Sequence, residues 1–213
     1  MDLAAQRLTA GAFGYAGQSC ISVQRVYIHR AVYAELRERL VKRAQGLKIG
    51  DPAEEATDVG PMITDQAANR AIQWIDEARD KGATIAAGGT RDGGFVWPTI
   101  LENVPQECAI YKEEAFAPVM VLEPYDDAER ALQQANASRF GLQAGVFTRD
   151  LELALRAFEV LEVGAVLVNE VSSWRIDPMP YGGVKESGFG REGLRAAIEE
   201  MTEPRLLVIK GPR

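Results

Sequence analysis

The sequence predicts an α/β fold built on a parallel sheet, and three observations predict it. Strand-like and helix-like periodicities alternate along the chain. The segments Val119–Leu122, Gln143–Thr148 and Ala165–Asn169 are apolar almost throughout, as strands covered on both faces are. The stretches between them open on residues that cap helices, Asp126 and Asp150. At 213 residues and 46% hydrophobic content the chain can bury one sizeable core, and we read residues 1–213 as a single domain.

Each element has a local reason. Leu3–Tyr15 forms a helix that Gly14 and Gly17 help to end. Gln24–His29 alternates as a strand. Ala31–Ala44 is a helix with Val32, Leu36 and Leu40 at fourfold spacing. Leu47–Met62, with Gly50, Pro52, Gly60 and Pro61, is loop. Thr64 caps a helix to about Lys81, with Ala67, Ala71, Ile75 and Ala78 on one face. Extended pieces at Thr84–Ala87 and Phe95–Ile100 flank the glycine-rich Gly88–Gly94. After strand Val119–Leu122, Asp126 and Glu129 make a capping box. Strand Gln143–Thr148, helix Asp150–Leu161 and strand Ala165–Asn169 complete a β-α-β-α-β run. A helix over Arg191–Met201 and a closing strand Leu206–Ile209, an apolar edge suited to oligomerisation, end the chain.

Composition excludes several functions. Net charge is −7 and no basic stripe stands out, which argues against nucleic-acid partners and anionic membrane surfaces. No apolar run approaches membrane-spanning length, and the N-terminus lacks the pattern of a signal peptide. Two cysteines make no disulfide framework, so reduced thiols and a cytoplasmic location are expected. Histidine occurs once, at His29, so no metal site of ordinary spacing can be assembled. His29 ends a strand and is expected to be solvated. Gly188–Gly193 matches GxGxxG, but no strand leads into it and too little chain follows for a dinucleotide-binding unit, so turn chemistry explains its glycines.

Cys20 is the candidate nucleophile. It follows Gly17-Gln18-Ser19 on a turn just past a helix, where a thiol is reachable and Gly17 would let the backbone approach a substrate. A buried structural cysteine is the alternative. Three further segments stand out: Glu113-Glu114-Ala115-Phe116-Ala117-Pro118, Phe140-Gly141-Leu142-Gln143, and the loop Pro178–Gly193. Taken singly they read as surface, core and turns.

Together, in this order and spacing, they resemble the catalytic domain of the NAD(P)-dependent aldehyde dehydrogenase superfamily over essentially the whole chain. The resemblance implies that Cys20 attacks an aldehyde, with its own N–H as one oxyanion donor. Cofactor contacts fall to Glu114, Phe116 and Leu142, with NAD or NADP as the cofactor. Glu192 matches a buried carboxylate that relays protons. Asn169 and the Pro178–Gly183 loop match the wall around the substrate, and Arg175 in that region would steer an anionic group or pair with an acid such as Asp177. Arg25 and Glu203 match structural positions. The implied substrate is a small aldehyde, hydroxylated or anionic, and the implied assembly a homo-oligomer. Only 19 residues precede Cys20, so the Rossmann-type cofactor domain of the family is expected to be absent from this chain, which would hold half an active site. A domain that folds and associates without turnover, and cofactor-free thiol chemistry at Cys20, remain open alternatives.

Overall fold

The computed structural model describes residues 1–211. The chain opens with helix α1 (Asp2–Phe13), which runs into a short 3-10 turn over Gly14–Gly17. Strand β1 (Arg25–His29) leads directly into α2 (Arg30–Gln45). His29 makes that join: its Nδ1 accepts from the Ala31 N–H, so the residue expected only to be solvated caps a helix. Thr64 caps α3 (Asp65–Asp80) through the Ala67 N–H, as its position predicts. Four strands follow, β2 (Thr84–Ala87), β3 (Arg91–Asp92), β4 (Phe95–Val96) and β5 (Thr99–Glu102). The expected single strand Phe95–Ile100 is therefore divided.

Helix α4 (Ala109–Lys112), which periodicity does not reveal, precedes β6 (Val119–Tyr125) and α5 (Ala128–Asn136). The cap of α5 is Asp127, bonded to the Glu129 N–H, and not Asp126, which pairs with Arg30. Then come β7 (Phe140–Gly141), β8 (Gln143–Val146), α6 (Leu151–Val160), β9 (Ala165–Val168), β10 (Val184–Lys185) and α7 (Leu194–Met201).

The main sheet has the order β1-β6-β5-β2. β6 runs parallel to both β1 and β5, with Arg25 opposite Val121 and Thr99 opposite Val119, while β2 is antiparallel to β5. Val119–Leu122 sit at its centre and are buried, which is why that segment carries no polar residue. β8 and β9 are parallel, joined across α6, as the β-α-β pattern predicts. They do not continue the main sheet: among the described residues no strand pairs with the outer edge of β1, and β8 and β9 form a separate pair. A large core surrounds the main sheet, and a smaller one gathers Leu132, Ala157 and Leu161 under β8 and β9.

The closing strand is not formed among the described residues. Leu206–Ile209 have no strand partner and lie 75–87% exposed. The run is apolar throughout, but an edge strand needs a second strand to pair with.

Candidate active site

The turn that carries Cys20 is built by backbone strain and a close approach. Tyr15 and Ala16 both have positive φ, 52° and 55°, and Gly17 follows at 66°. A Cβ on Gly17 would stand 2.1 Å from the Ala117 carbonyl oxygen. This glycine therefore serves close backbone packing against Ala117. The result brings the Glu114–Phe116 segment beside Cys20. Gln18 fastens the turn from the other side, accepting from the Ile63 N–H at 2.8 Å and donating to the Pro61 carbonyl at 3.3 Å. Ser172 Oγ donates to the Ile21 carbonyl at 3.0 Å.

Cys20 is exposed, whereas Cys108 is fully buried and its burial pushes the thiol up. The Cys20 Sγ lies 2.6 Å from the Tyr181 hydroxyl. Desolvation, then the bond to Cys20, raises the tyrosine well above its ordinary range, so it remains protonated and can donate to sulfur. Tyr181 is the site residue that motif reading quoted but did not assign; its place in Pro178–Gly183 was the available signal. The Arg175 guanidinium stacks 4.2 Å from the Tyr181 ring centre, and its Nη2 lies 3.8 Å from Glu192. Tyr181 and Glu192 also exchange backbone bonds, 3.0 and 2.6 Å. Cys20, Tyr181, Arg175 and Glu192 thus form one connected row.

Two expectations change here. Glu192 is not buried: its carboxylate is largely exposed, because it lies in the loop before α7, a helix with no buried residue. The ion-pair partner of Arg175 is Glu192 and not Asp177.

Cys20, Glu114, Phe116 and Leu142 line one cavity of about 630 Å³. Glu114 and Phe116 also border an adjoining open groove of about 580 Å³ with Arg70 and Arg139. Partial desolvation holds the Glu114 carboxyl above its ordinary range, and Arg70 offsets only part of that rise. Phe116 holds a positive φ of 47°, which turns its half-exposed ring to the cavity rim. Asn169 is not among the residues lining this cavity. It follows β9 directly, and its Oδ1 accepts from the Thr148 N–H at 3.0 Å. Arg25 has a packing role, bonding Tyr27 and stacking on Tyr111. Glu203 lies in the exposed tail.

Residues 1–207 match the family model described as the aldehyde dehydrogenase family. This chain belongs to the aldehyde dehydrogenase family. Among its relatives are 3-sulfolactaldehyde dehydrogenase of Priestia megaterium and aspartate-semialdehyde dehydrogenase 1 of Pseudomonas canavaninivorans, each 44% identical over 98% of this chain and 44% of their own length. The structure of aldehyde dehydrogenase 21 from Physcomitrella patens, in complex with the reaction product succinate, superposes with a TM-score of 0.96 at 44% identity, over 99% of this chain and 44% of that one. The Methanocaldococcus jannaschii glyceraldehyde-3-phosphate dehydrogenase GapN, complexed with NADP, superposes at 0.91 and 40% identity, over 94% and 43%. This aldehyde dehydrogenase chain thus spans less than half the length of the relatives it matches. Its fold agrees with the α/β class read from the sequence. No helix of the described residues is long and apolar enough to cross a membrane.

Proposed function

We propose that this chain is the catalytic half of an aldehyde dehydrogenase that oxidises a small aldehyde to a carboxylic acid through Cys20. The observation that carries the reading is the single cavity holding Cys20, Glu114, Phe116 and Leu142. In this reading the Cys20 sulfur adds to the aldehyde carbon, and the carbonyl oxygen becomes an alkoxide. The Cys20 N–H, unused by backbone bonding among the described residues, faces that charge as a donor. Tyr181 donates to the Cys20 sulfur before attack and holds its direction. Oxidation of the thiohemiacetal leaves a thioester on Cys20, which water opens to release the acid.

The cofactor reading is NAD or NADP. The donor set suits the nicotinamide end: Glu114 offers a carboxylate with two acceptor oxygens to ribose hydroxyls, and Phe116 and Leu142 offer apolar surface. When bound, the nicotinamide supplies the electron-pair acceptor for the oxidation. Relatives named for sulfolactaldehyde, aspartate semialdehyde and lactaldehyde support a small anionic or hydroxylated substrate. Arg175, stacked on the Tyr181 ring beside Cys20, is the cation we assign to serve it, in competition with Glu192. Glu192 acts in this scheme through Arg175 and Tyr181, as a positioning residue. Residues present hold only one end of the cofactor, so the chain by itself is expected to show no turnover, and its exposed apolar tail is expected to make it associate.

The test is reconstitution. With the complementary portion of a relative supplied, NAD(P)H should form from lactaldehyde or aspartate semialdehyde, and Cys20→Ser should abolish it. Turnover that survives Cys20→Ser would remove the proposal.

A further inference from the structure

Cys20 stands between two sides. Its cavity side holds Glu114, Phe116 and Leu142, and neither Tyr181 nor Arg175 lines that space. The Tyr181 hydroxyl meets the sulfur from elsewhere, at 2.6 Å. Other side-chain donors around the turn are committed. The Gln18 amide donates to the Pro61 and Tyr15 carbonyls, and the Ser22 hydroxyl to those of Gly11 and Ala12. The Ser172 hydroxyl donates to that of Ile21. Among the described residues Tyr181 is therefore the side-chain donor in contact with the reacting atom.

This donor is held in place before any substrate arrives. Tyr181 and Glu192 exchange backbone bonds of 3.0 and 2.6 Å. The two residues after Tyr181 are glycines because the loop folds back on itself there. A Cβ on Gly182 would stand 2.6 Å from the Gly190 carbonyl oxygen, and one on Gly183 would stand 2.4 Å from the Ser187 Cβ. Arg191 Nη1 closes the same loop, donating to the Gly183 and Gly190 carbonyls at 3.0 and 2.7 Å. The Arg175 guanidinium lies 4.2 Å from the centre of the Tyr181 ring. A cation on that face draws electron density from the phenol and makes its O–H a stronger donor, while desolvation keeps the hydroxyl protonated.

Addition to a carbonyl moves the charge that this donor serves. The Cys20 thiolate pair forms the S–C bond, the carbonyl π pair moves onto oxygen, and Tyr181 keeps its proton. Sulfur bonded to carbon is a weak acceptor, whereas the new oxyanion, one carbon away, is a strong one. We propose that Tyr181 is a catalytic residue that turns its hydroxyl from the Cys20 sulfur to the oxyanion, as a second donor beside the Cys20 N–H. The inference rests on Cys20 as the nucleophile and deepens that reading: both donors then come from this chain.

Two thiol probes separate the roles on the chain itself. Iodoacetamide alkylates Cys20 by displacing iodide at a saturated carbon, with no oxyanion. p-Nitrophenyl acetate acylates it through a tetrahedral oxyanion and releases p-nitrophenolate. Loss of one oxyanion donor costs on the order of a hundredfold in a closed site, and at this open one Tyr181→Phe should slow acylation at least about tenfold beyond its effect on alkylation. Arg175→Leu keeps the hydroxyl but uncovers the ring, and should lower the ratio of acylation to alkylation at least about twofold. Cys20→Ser should abolish the fast phase with both probes. Circular dichroism shows which variants fold, and if Tyr181→Phe does not, the Arg175→Leu ratio decides. Equal slowing of both probes by Tyr181→Phe would show that the hydroxyl acts on sulfur alone and would overturn the inference. So would acylation that Tyr181→Phe leaves untouched, or a ratio that Arg175→Leu leaves unchanged. Either result with Cys20→Ser unreactive leaves the nucleophile standing. If Cys20→Ser reacts as fast as the native chain, the nucleophile itself falls, and this inference with it.

Discussion

The Tyr181 hydroxyl stands 2.6 Å from the Cys20 sulfur, although 161 residues separate them. A net hydrogen bond contributes about 0.5–1.5 kcal/mol. Tyr181→Phe should therefore slow iodoacetamide labelling of Cys20 at least about twofold near neutral pH. Cys108, buried at the start of α4, should stay unlabelled until the protein unfolds. Peptide mass mapping after limiting alkylation reads both. Labelling of Cys108 ahead of Cys20 in folded protein would contradict the assignment of the nucleophile.

Gly17→Ala should be among the more damaging small substitutions. Its Cβ would meet the Ala117 carbonyl at 2.1 Å, and its φ is +66°. Neither strain nor clash can be relieved without moving the Phe116 segment away from Cys20. The loss should exceed about 1 kcal/mol in urea unfolding. Gly14→Ala, with open space at its Cβ and a negative φ, should cost far less.

Acid should weaken the join between α2 and the sheet. Glu102 is nearly buried at the end of β5; desolvation pushes its carboxyl up, but bonds from Arg37 and Tyr33 outweigh that and hold it below the ordinary range. A carboxyl depressed in the folded state stabilises fully above its unfolded value, about 4.3, and the stabilisation is lost as pH falls through the folded value. Melting temperature should fall across that window in the native chain. Glu102→Gln should lower stability at pH 7 and flatten this acid slope.

Arg175→Leu has two readable consequences in a reconstituted enzyme. If the guanidinium meets an anionic substrate, KM for aspartate semialdehyde rises more than KM for a neutral aldehyde. If it serves only to hold Tyr181 and Glu192, both substrates lose kcat alike. The ratio of the two effects separates these outcomes.

The exposed run Leu206-Leu207-Val208-Ile209 should drive association of the isolated chain. Light scattering over a concentration series should show oligomers, and Leu207→Lys with Val208→Glu should reduce them. A monomer at every concentration would show that this run is not an interface.

Sequence by itself determined what depends on neighbours along the chain. Thr64 caps its helix, Val119–Leu122 is a strand buried on both faces, and α6 joins two parallel strands, because caps, periodicity and crossover lengths are local properties. The order of four motifs also carried the family. Partners distant in sequence were decided by the tertiary structure. It placed Tyr181 on Cys20, exposed the Glu192 carboxylate, turned Asn169 to Thr148, and set Gly17 against Ala117. It also divided the expected sheet at β8 and left Leu206–Ile209 unpaired. A strand's apolar pattern states that it needs a neighbour, but only packing assigns which edge it meets. Hydrogen bonding across an edge is a relation between two segments, and neither segment encodes it alone.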